Sequence, residues 1–409
     1  MNAKVLVVGA GAAGLMAAGA AAECGANVTL IEKNPRVGRK IMITGKGRCN
    51  VCNNCDVQTF IANVPVNGRF LYSAVNAFTP RDTMEFFESI GVPLKTERGN
   101  RVFPQSDRAV DVVDALRDYV KQSGVKLVQD TALELLTEDG AAVGVRCTGN
   151  TYYSDAVIVC CGGKSYPLTG STGDGYTLAR QAGHTVTELK PSLVPLESPD
   201  PDCKSMQGLA LKNVALKIID NNSKKEIYTD FGEMLFTHFG LSGPMILSAS
   251  SHIRNMRQGQ YTAVIDLKPA LTPEQLDKRL QNDLNANLNR DVSNAFSKLL
   301  PRKMIVPVLR RWGVPFDKKC NVITREERRA LEELLKHFTV PIGGFRPIEE
   351  AIITSGGVKT SEINPKTMES KLLHGLYFAG EVIDCDAYTG GFNLQIAWST
   401  GRLAGASAV

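Results

Sequence analysis

Six residues near the N-terminus, Gly9-Ala10-Gly11-Ala12-Ala13-Gly14, have the types and spacing needed to cradle a pyrophosphate. The run Lys4 to Val8 ahead of them is apolar enough for a buried strand. The alanine-rich stretch from Leu15 to Cys24 behind them reads as a helix. Gly9 permits the tight turn, Gly11 lets the backbone approach a ligand, and Gly14 lets the helix pack closely on the strand. The first helical turn, with Ala12 and Ala13, presents free N–H groups and a partial positive charge to an anion. Val28 to Ile31 reads as a second strand. It ends on Glu32, 18 residues after Gly14, where a carboxylate can accept hydrogen bonds from ribose hydroxyls; Lys33 follows it. A lone G-x-G-x-x-G is weak. Strand, turn, helix, strand and terminal acid in that order make a complete βαβ dinucleotide unit.

A second set of chemically able residues follows at once. Gly38, Arg39 and Lys40 lead through Ile41-Met42-Ile43 to Thr44, Gly45, Lys46, Gly47, Arg48, Cys49 and Asn50. Arg39 and Lys40 can pair with phosphates, and Arg48 offers a fork of donors. Thr44, Gly45 and Gly47 let backbone lie against a planar ring, and Asn50 can bond a carbonyl. The whole stretch from Lys33 to Asn54 is expected to be a loop.

The nucleotide-binding pattern returns at the end of the chain. Gly375 to Glu381 reads as a buried strand closing on Gly380 and Glu381. Gly390-Gly391 then opens a final helix that begins Phe392, Asn393, Leu394, Gln395 and runs to Gly405. That helix start is a second anion-friendly terminus, aimed in this reading at the pyrimidine edge of a flavin. Cys160-Cys161 end another apolar strand, and Gly162-Gly163 after them allow close approach to a cofactor. Leu133, in an expected strand from Leu133 to Leu136, completes the candidate cofactor contacts.

The block from Gly38 to Asn50 resembles the signature of a bacterial NAD(P)/FAD-dependent oxidoreductase family. That family includes aminoacetone-oxidase-like flavoproteins and a gut bile-acid 3-dehydro Δ-reductase. Gly356-Gly357-Val358, Thr367 to Lys371 and Gly391 to Gln395 are similar to it too. The resemblance implies a two-dinucleotide-fold, Rossmann-like α/β FAD-binding domain with an inserted β-barrel domain, itself interrupted by a helical insert. It also implies that Cys49 belongs to the flavin loop.

The elements needed to position these residues agree with that fold. Thr79-Pro80 opens a helix through Phe87, and Ala109 to Ser123 is an amphipathic helix. Val125 to Val128, Val143 to Cys147 and Ala156 to Cys160 read as strands. From about Pro191 to Asp266 the chain is strand-like, with Ala215 to Ile219 and Tyr261 to Ile265 the clearest segments. Thr272-Pro273-Glu274-Gln275 and Thr324-Arg325-Glu326-Glu327 are capping boxes of helices. The expected division is a discontinuous FAD domain, 1–190 and 345–409, a β-barrel-like insert, 191–270 and 339–344, and a helical insert, 271–338.

Other chemistry finds less support. Cys49, Cys52 and Cys55 have the spacing of three iron–sulfur ligands, but the position of the fourth is Thr59. A redox-active or buried thiol near flavin is the better reading, and no metal is expected. The five histidines show no metal spacing. His238, in Phe236 to Pro244, is the one catalytic candidate among them.

The 409 residues carry 47 Lys and Arg against 42 Asp and Glu, a net +5 that gives no argument for nucleic acid. No apolar run approaches the length of a membrane span, and ten scattered cysteines suit a reduced, cytoplasmic protein. The oligomeric state is open. The expected activity is an FAD-dependent reduction of a small organic substrate, an activated C=C such as a steroid or bile-acid enone. NAD(P)H would be a transient donor, because no second dinucleotide unit exists to hold it. The competing readings are an amine oxidase of aminoacetone type using O2, a flavin-dependent RNA-modifying protein, and a non-catalytic flavin-binding protein.

Overall fold

A computed structural model describes residues 2–253 and 256–409. The chain folds into two units, Met1–Ser192 with Ile348–Val409, and Leu193–Pro347.

In the first unit a five-stranded parallel sheet has the order Leu376–Phe378, Ala156–Val159, Lys4–Val8, Asn27–Glu32, Lys126–Gln129. Val8 lies in register with both Ile31 and Val159, and Val159 with Phe378. The glycine turn, Glu32, the Cys161–Gly162 turn and Gly380 therefore all emerge at one edge, the carboxyl ends of the strands. The chain leaves Lys4–Val8 for a neighbour on one side and returns to Ala156–Val159 on the other. That reversal of strand order is where open α/β sheets form ligand crevices.

Two helices cover the sheet behind this edge. The first, Ala12–Glu23, is apolar all round and buried from Ala13 to Ala21. The last, Phe392–Ser407, packs on it because two glycines remove side chains from the contact. A Cβ at Gly401 would stand 2.4 Å from the Ala13 carbonyl oxygen, and one at Gly405 2.2 Å from that of Ala17. The Pro80–Ser89 helix has its Thr79 capping box, with Asp82 returning the hydrogen bond. Ala109–Gln122 is the amphipathic helix expected there.

The second unit is built on a seven-stranded antiparallel sheet. Its order is Phe338–Ile342, Tyr261–Asp266, Ala210–Asp220, Lys225–Phe236, Gly240–Ser242, Leu196–Glu197, Gly344–Phe345. The strands at the two ends of that order are separated in the chain by Gly343 alone, so the sheet curls back on itself. Helices Pro273–Asn285, Arg302–Trp312 and Arg325–Lys336 share one core with it: Leu276, Leu280, Leu331 and Leu335 are buried in the same cluster as Leu216, Ile218 and Ile265. Thr272 and Thr324 both form capping boxes.

Two sequence expectations need correction. The Lys33 to Asn54 stretch is not all loop: Gly38, at φ +66°, turns the chain into a short helix, Arg39–Ile43. The apolar run from Gly375 to Glu381 is a strand only over Leu376–Phe378. Gly380, at φ +77°, bends it into a tight helical turn, Gly380–Val382.

Candidate functional site

A cleft runs along the carboxyl edge of the parallel sheet, lined wholly by residues of the first unit. Its floor is the glycine turn. A Cβ on Gly14 would lie 1.8 Å from the Gly9 carbonyl oxygen, and one on Gly9 2.7 Å from that of Cys160. These two glycines are needed for packing of turn, helix and strand. Gly11 differs: an added Cβ would meet no atom within 4 Å. It borders open space in the cleft, at the N-terminus of the first helix, where first-turn amides have no intrahelical acceptor.

Glu32 closes one end. One carboxylate oxygen accepts the Ala10 N–H at 2.8 Å, and the other accepts the backbone and side-chain N–H groups of Asn34 at 2.9 and 2.7 Å. These bonds hold the acid at the strand end and brace the turn. Lys33 is not a free cation: its Nζ lies 2.6 Å from Asp174 and donates to Thr172. Arg39 donates to the Asn34 side chain.

A polar cluster borders the cleft at Lys40 and Glu381. Lys40 Nζ is 2.6 Å from Glu381 Oε2 and 2.6 Å from Ser165 Oγ. Glu381 Oε1 accepts from Ser165 Oγ and from the Thr354 N–H. Cys161 sits nearby, its thiol 3.6 Å from the Val8 carbonyl and pushed up to about 12 by burial. Asn393 and Leu394 also line the cleft. The Asn393 amide is fixed by the backbone of Ala387 and Tyr388.

Gly9, Gly11, Ala12, Ala13, Glu32, Lys33, Gly38, Arg39, Lys40, Thr44, Cys161, Gly162, Gly380, Glu381, Asn393 and Leu394 thus share one cleft. The other candidates stand apart from its lining. Arg48 is engaged elsewhere, with Glu97 and Asp107 as partners and its guanidinium 4.1 Å over the Phe103 ring. Gly45 and Gly47 have positive φ and serve the turn; a Cβ on Gly45 would press on the Asn50 nitrogen at 3.0 Å. Cys49 is fully buried, and burial pushes its thiol up to about 12. Asn50 keeps a buried carbonyl oxygen with no partner. Leu133 is 52% exposed, while Ala132 and Asp130 face the cleft; along a strand, neighbours point to opposite sides. Gly163 is pressed between Thr354 and Glu381.

The C-terminal helix start also departs from expectation. A Cβ on Gly391 would fall 2.3 Å from the backbone of Cys52, so this glycine serves a close crossing of backbone. Phe392 packs on Phe60. Gln395 is fully buried and donates to Phe78, Thr83 and Ser399. His238 belongs to the second unit. It is exposed on the turn between two strands, its ring edge-on to Phe239. Among the described residues no three His, Cys, Asp or Glu side chains are grouped as a metal would need.

Sequence reasoning passed over Asn34, Gly170, Ser171, Asp174, Ile353 and Cys385 as site residues, all of which line the cleft. The signal for the middle three was the Gly170 to Gly175 run, which lacks dinucleotide-turn spacing but folds against Lys33 and Asn34.

Residues 3–407 match the model of the HI0933-like protein Rossmann domain. The chain belongs to that family. It is a flavin-dependent oxidoreductase with a Rossmann-like FAD-binding fold. Across 99% of its length it is 30% identical to a 3-dehydro-bile acid delta(4,6)-reductase of Clostridium scindens, covering 98% of that protein. It is also 29% identical over 97% of its length to a ribosomal RNA dihydrouridine synthase of Escherichia coli, covering 95% of it. A solved 3-ketosteroid-Δ4-(5α)-dehydrogenase of Rhodococcus jostii shares the fold at TM-score 0.51 and 15% identity, over 100% of this chain and 96% of that one. The cleft fits the family's FAD: open space over Gly11 for a pyrophosphate, Glu32 at the strand end for a ribose, and a lined trough beyond. No helix among the described residues is long and apolar enough to cross a membrane.

Proposed function

We propose that the protein is an FAD-dependent reductase that saturates a carbon–carbon double bond conjugated to a carbonyl, with NAD(P)H as the electron donor. One observation carries this reading. Full-length relatives near 30% identity are named for different substrates, a dehydro bile acid and a ribosomal uridine, yet both names describe adding two hydrogens across such a bond. FAD, when bound, supplies the two-electron chemistry. Each turnover consumes one NAD(P)H and one proton and releases NAD(P)+ and the saturated product.

The residues of the cleft divide the work of holding the cofactor. The amides of the first helical turn and the bare backbone of Gly11 would receive the pyrophosphate, and Glu32 the adenosine ribose. Lys40 and Glu381 would stand beside the middle of the cofactor, their charges already balanced against each other. Cys161, held as a thiol by burial, offers no nucleophile there.

The first substrate reading is a small enone of steroid type, in line with the bile-acid relative. A second reading, a uracil ring within RNA, is favoured by the distribution of charge. Residues 193–347 hold 23 Lys and Arg against 17 Asp and Glu, whereas the rest of the chain is slightly acidic.

Anaerobic mixing of FAD-loaded protein with NADH and NADPH separately tests the donor. Adding a panel of enones, and in parallel protein-free ribosomal RNA analysed for dihydrouridine by mass, tests the substrate. Reoxidation only by O2, with neither an enone nor RNA reduced, would return the protein to the oxidase reading.

A further inference from the structure

One stretch outside the cofactor cleft carries a net charge equal to that of the whole chain. Residues 273–336 contain 14 Lys and Arg against 9 Asp and Glu, which equals the +5 of the whole protein; the other 345 residues balance at 33 of each. A balanced total had concealed a basic segment.

Lys303 donates to the Gln207 carbonyl, and the other 13 cations fall into two groups. Arg279, Lys318, Lys319, Arg328 and Lys336 are matched to acids within 4 Å, and Arg310 and Arg311 pair with Asp202. Such pairs are already neutralised. In contrast Arg290, Lys298 and Arg302 are exposed and carry no ion pair among the described residues, and the same holds for Lys278, Arg325 and Arg329. Exposed, unpaired cations are free to exchange counterions for a polyanion.

The first three lie together in the chain with apolar company. Lys298 and Arg302 flank Pro301 at the start of the Arg302–Trp312 helix, whose outer side bears Val306, 51% exposed. Backbone bonds tie the Leu288 to Arg290 turn to Cys320 and Asn321, and Ser293 to Phe316. Phe316 is 45% exposed, an aromatic ring turned to solvent on the segment that Ser293 bonds. Cations for phosphates beside an aromatic for a base are what single-stranded regions of RNA require.

We propose that residues 273–336 form a docking surface for RNA, with phosphates on Arg290, Lys298 and Arg302 and an unstacked base on Phe316. This rests on the second substrate reading above. All of these residues lie outside the cofactor cleft, so their role is to bind and orient RNA.

The test uses the full-length, FAD-loaded protein and protein-free ribosomal RNA. Binding is measured against salt for wild type, for Lys298→Glu with Arg302→Glu, and for Phe316→Ala. The charge variant should bind at least tenfold more weakly, with a log–log salt slope shallower by about 1.4 if two single-strand phosphate contacts are lost. Phe316→Ala should weaken binding with the slope unchanged. Flavin content and reduction by NAD(P)H should match wild type in both, which shows that the fold is intact. Unchanged affinity in the charge variant would overturn the proposal. So would equal binding of RNA, duplex DNA and anionic lipid vesicles, which would mark a general polyanion surface. Dihydrouridine analysis separates the two claims. RNA binding lost in the variants with no dihydrouridine made by wild type keeps the surface and removes the uracil reading. Equal dihydrouridine formation by wild type and variants does the reverse.

Discussion

Lys40 and Glu381 stand 341 positions apart in the chain, and their charged ends meet at 2.6 Å inside the cofactor cleft. Both side chains are about four-fifths buried. The pair joins the segment after the second parallel strand to the segment after the last, and Ser165 and Thr354 bring in two more. A hydrogen bond to a charged, largely buried group contributes about 1.5–3 kcal/mol, more when its loss strands the partner. Lys40→Met should therefore lower the stability of the FAD-free protein by about that amount. Adding Glu381→Leu should restore part of it, because no lone carboxylate remains. Denaturant unfolding of the two single variants and the double variant checks this; strictly additive losses would show that the contact carries no coupling.

Gly11 and Gly14 should fail in different ways. A Cβ at Gly14 collides with the Gly9 backbone, whereas one at Gly11 enters open cleft. Gly14→Ala should unfold or strongly destabilise the protein with or without FAD. Gly11→Val should leave the melting temperature of FAD-free protein within a degree or two and abolish flavin retention. Flavin absorbance after gel filtration, with thermal melts of stripped protein, reads both. Normal flavin content in Gly11→Val would remove the pyrophosphate assignment.

Glu32 and Glu23 both lie within the first βαβ unit, at the ends of its second strand and its helix, and should also separate. Glu32 braces the glycine turn at the cleft. Glu23 sits at the far end of the helix, bonded to Tyr119 and Arg402. Glu32→Ala should cost FAD affinity on the order of tenfold or more, since about 1.4 kcal/mol is a factor of ten. Glu23→Ala should change stability and leave FAD affinity alone. Titration of stripped protein with FAD decides, and equal affinities would sink the role given to Glu32.

The sequence made the site's frame legible where local chemistry and fold requirement coincide. Gly9, Gly11, Gly14 and Glu32 occupy one short unit whose spacing is dictated by a strand, a turn and a helix. The capping boxes at Thr79, Thr272 and Thr324 are equally local. What escaped notice depends on distant approach. Nothing near Gly391 announces that Cys52 crosses over it, so a backbone crossing looked like a ligand contact. Arg48 looked like a free fork because Glu97 and Asp107 are remote in sequence. Leu133 was displaced by one residue, and in a strand one residue changes the face. The basic segment at 273–336 was hidden in a total that summed it with a neutral remainder.

Asp386 offers a pH test on a buried carboxyl next to the cleft residue Cys385. It is 2% exposed and accepts from Ser192 Oγ at 3.0 Å and Ser355 Oγ at 2.9 Å, and among the described residues it has no ion pair. Burial pushes its carboxyl up to about 6, the nearby acids Asp384 and Glu381 push the same way, and the two serine hydroxyls oppose them. An unfolded aspartate releases its proton near 3.9. Between about pH 4 and 6 the folded chain therefore holds the proton that the unfolded chain has lost. The stabilisation from this group is full below that window and falls away as pH rises through 6. Asp386→Asn keeps a hydrogen-bonding side chain and removes the titration. Its stability relative to wild type should increase across that window by roughly 2–3 kcal/mol, at about 1.36 kcal/mol for each unit of pKa, and stay level above it. Urea unfolding of both proteins from about pH 4 to about pH 8, across that window and above it, measures the difference. A difference that does not change with pH would show that Asp386 is ionised in the fold as readily as in water.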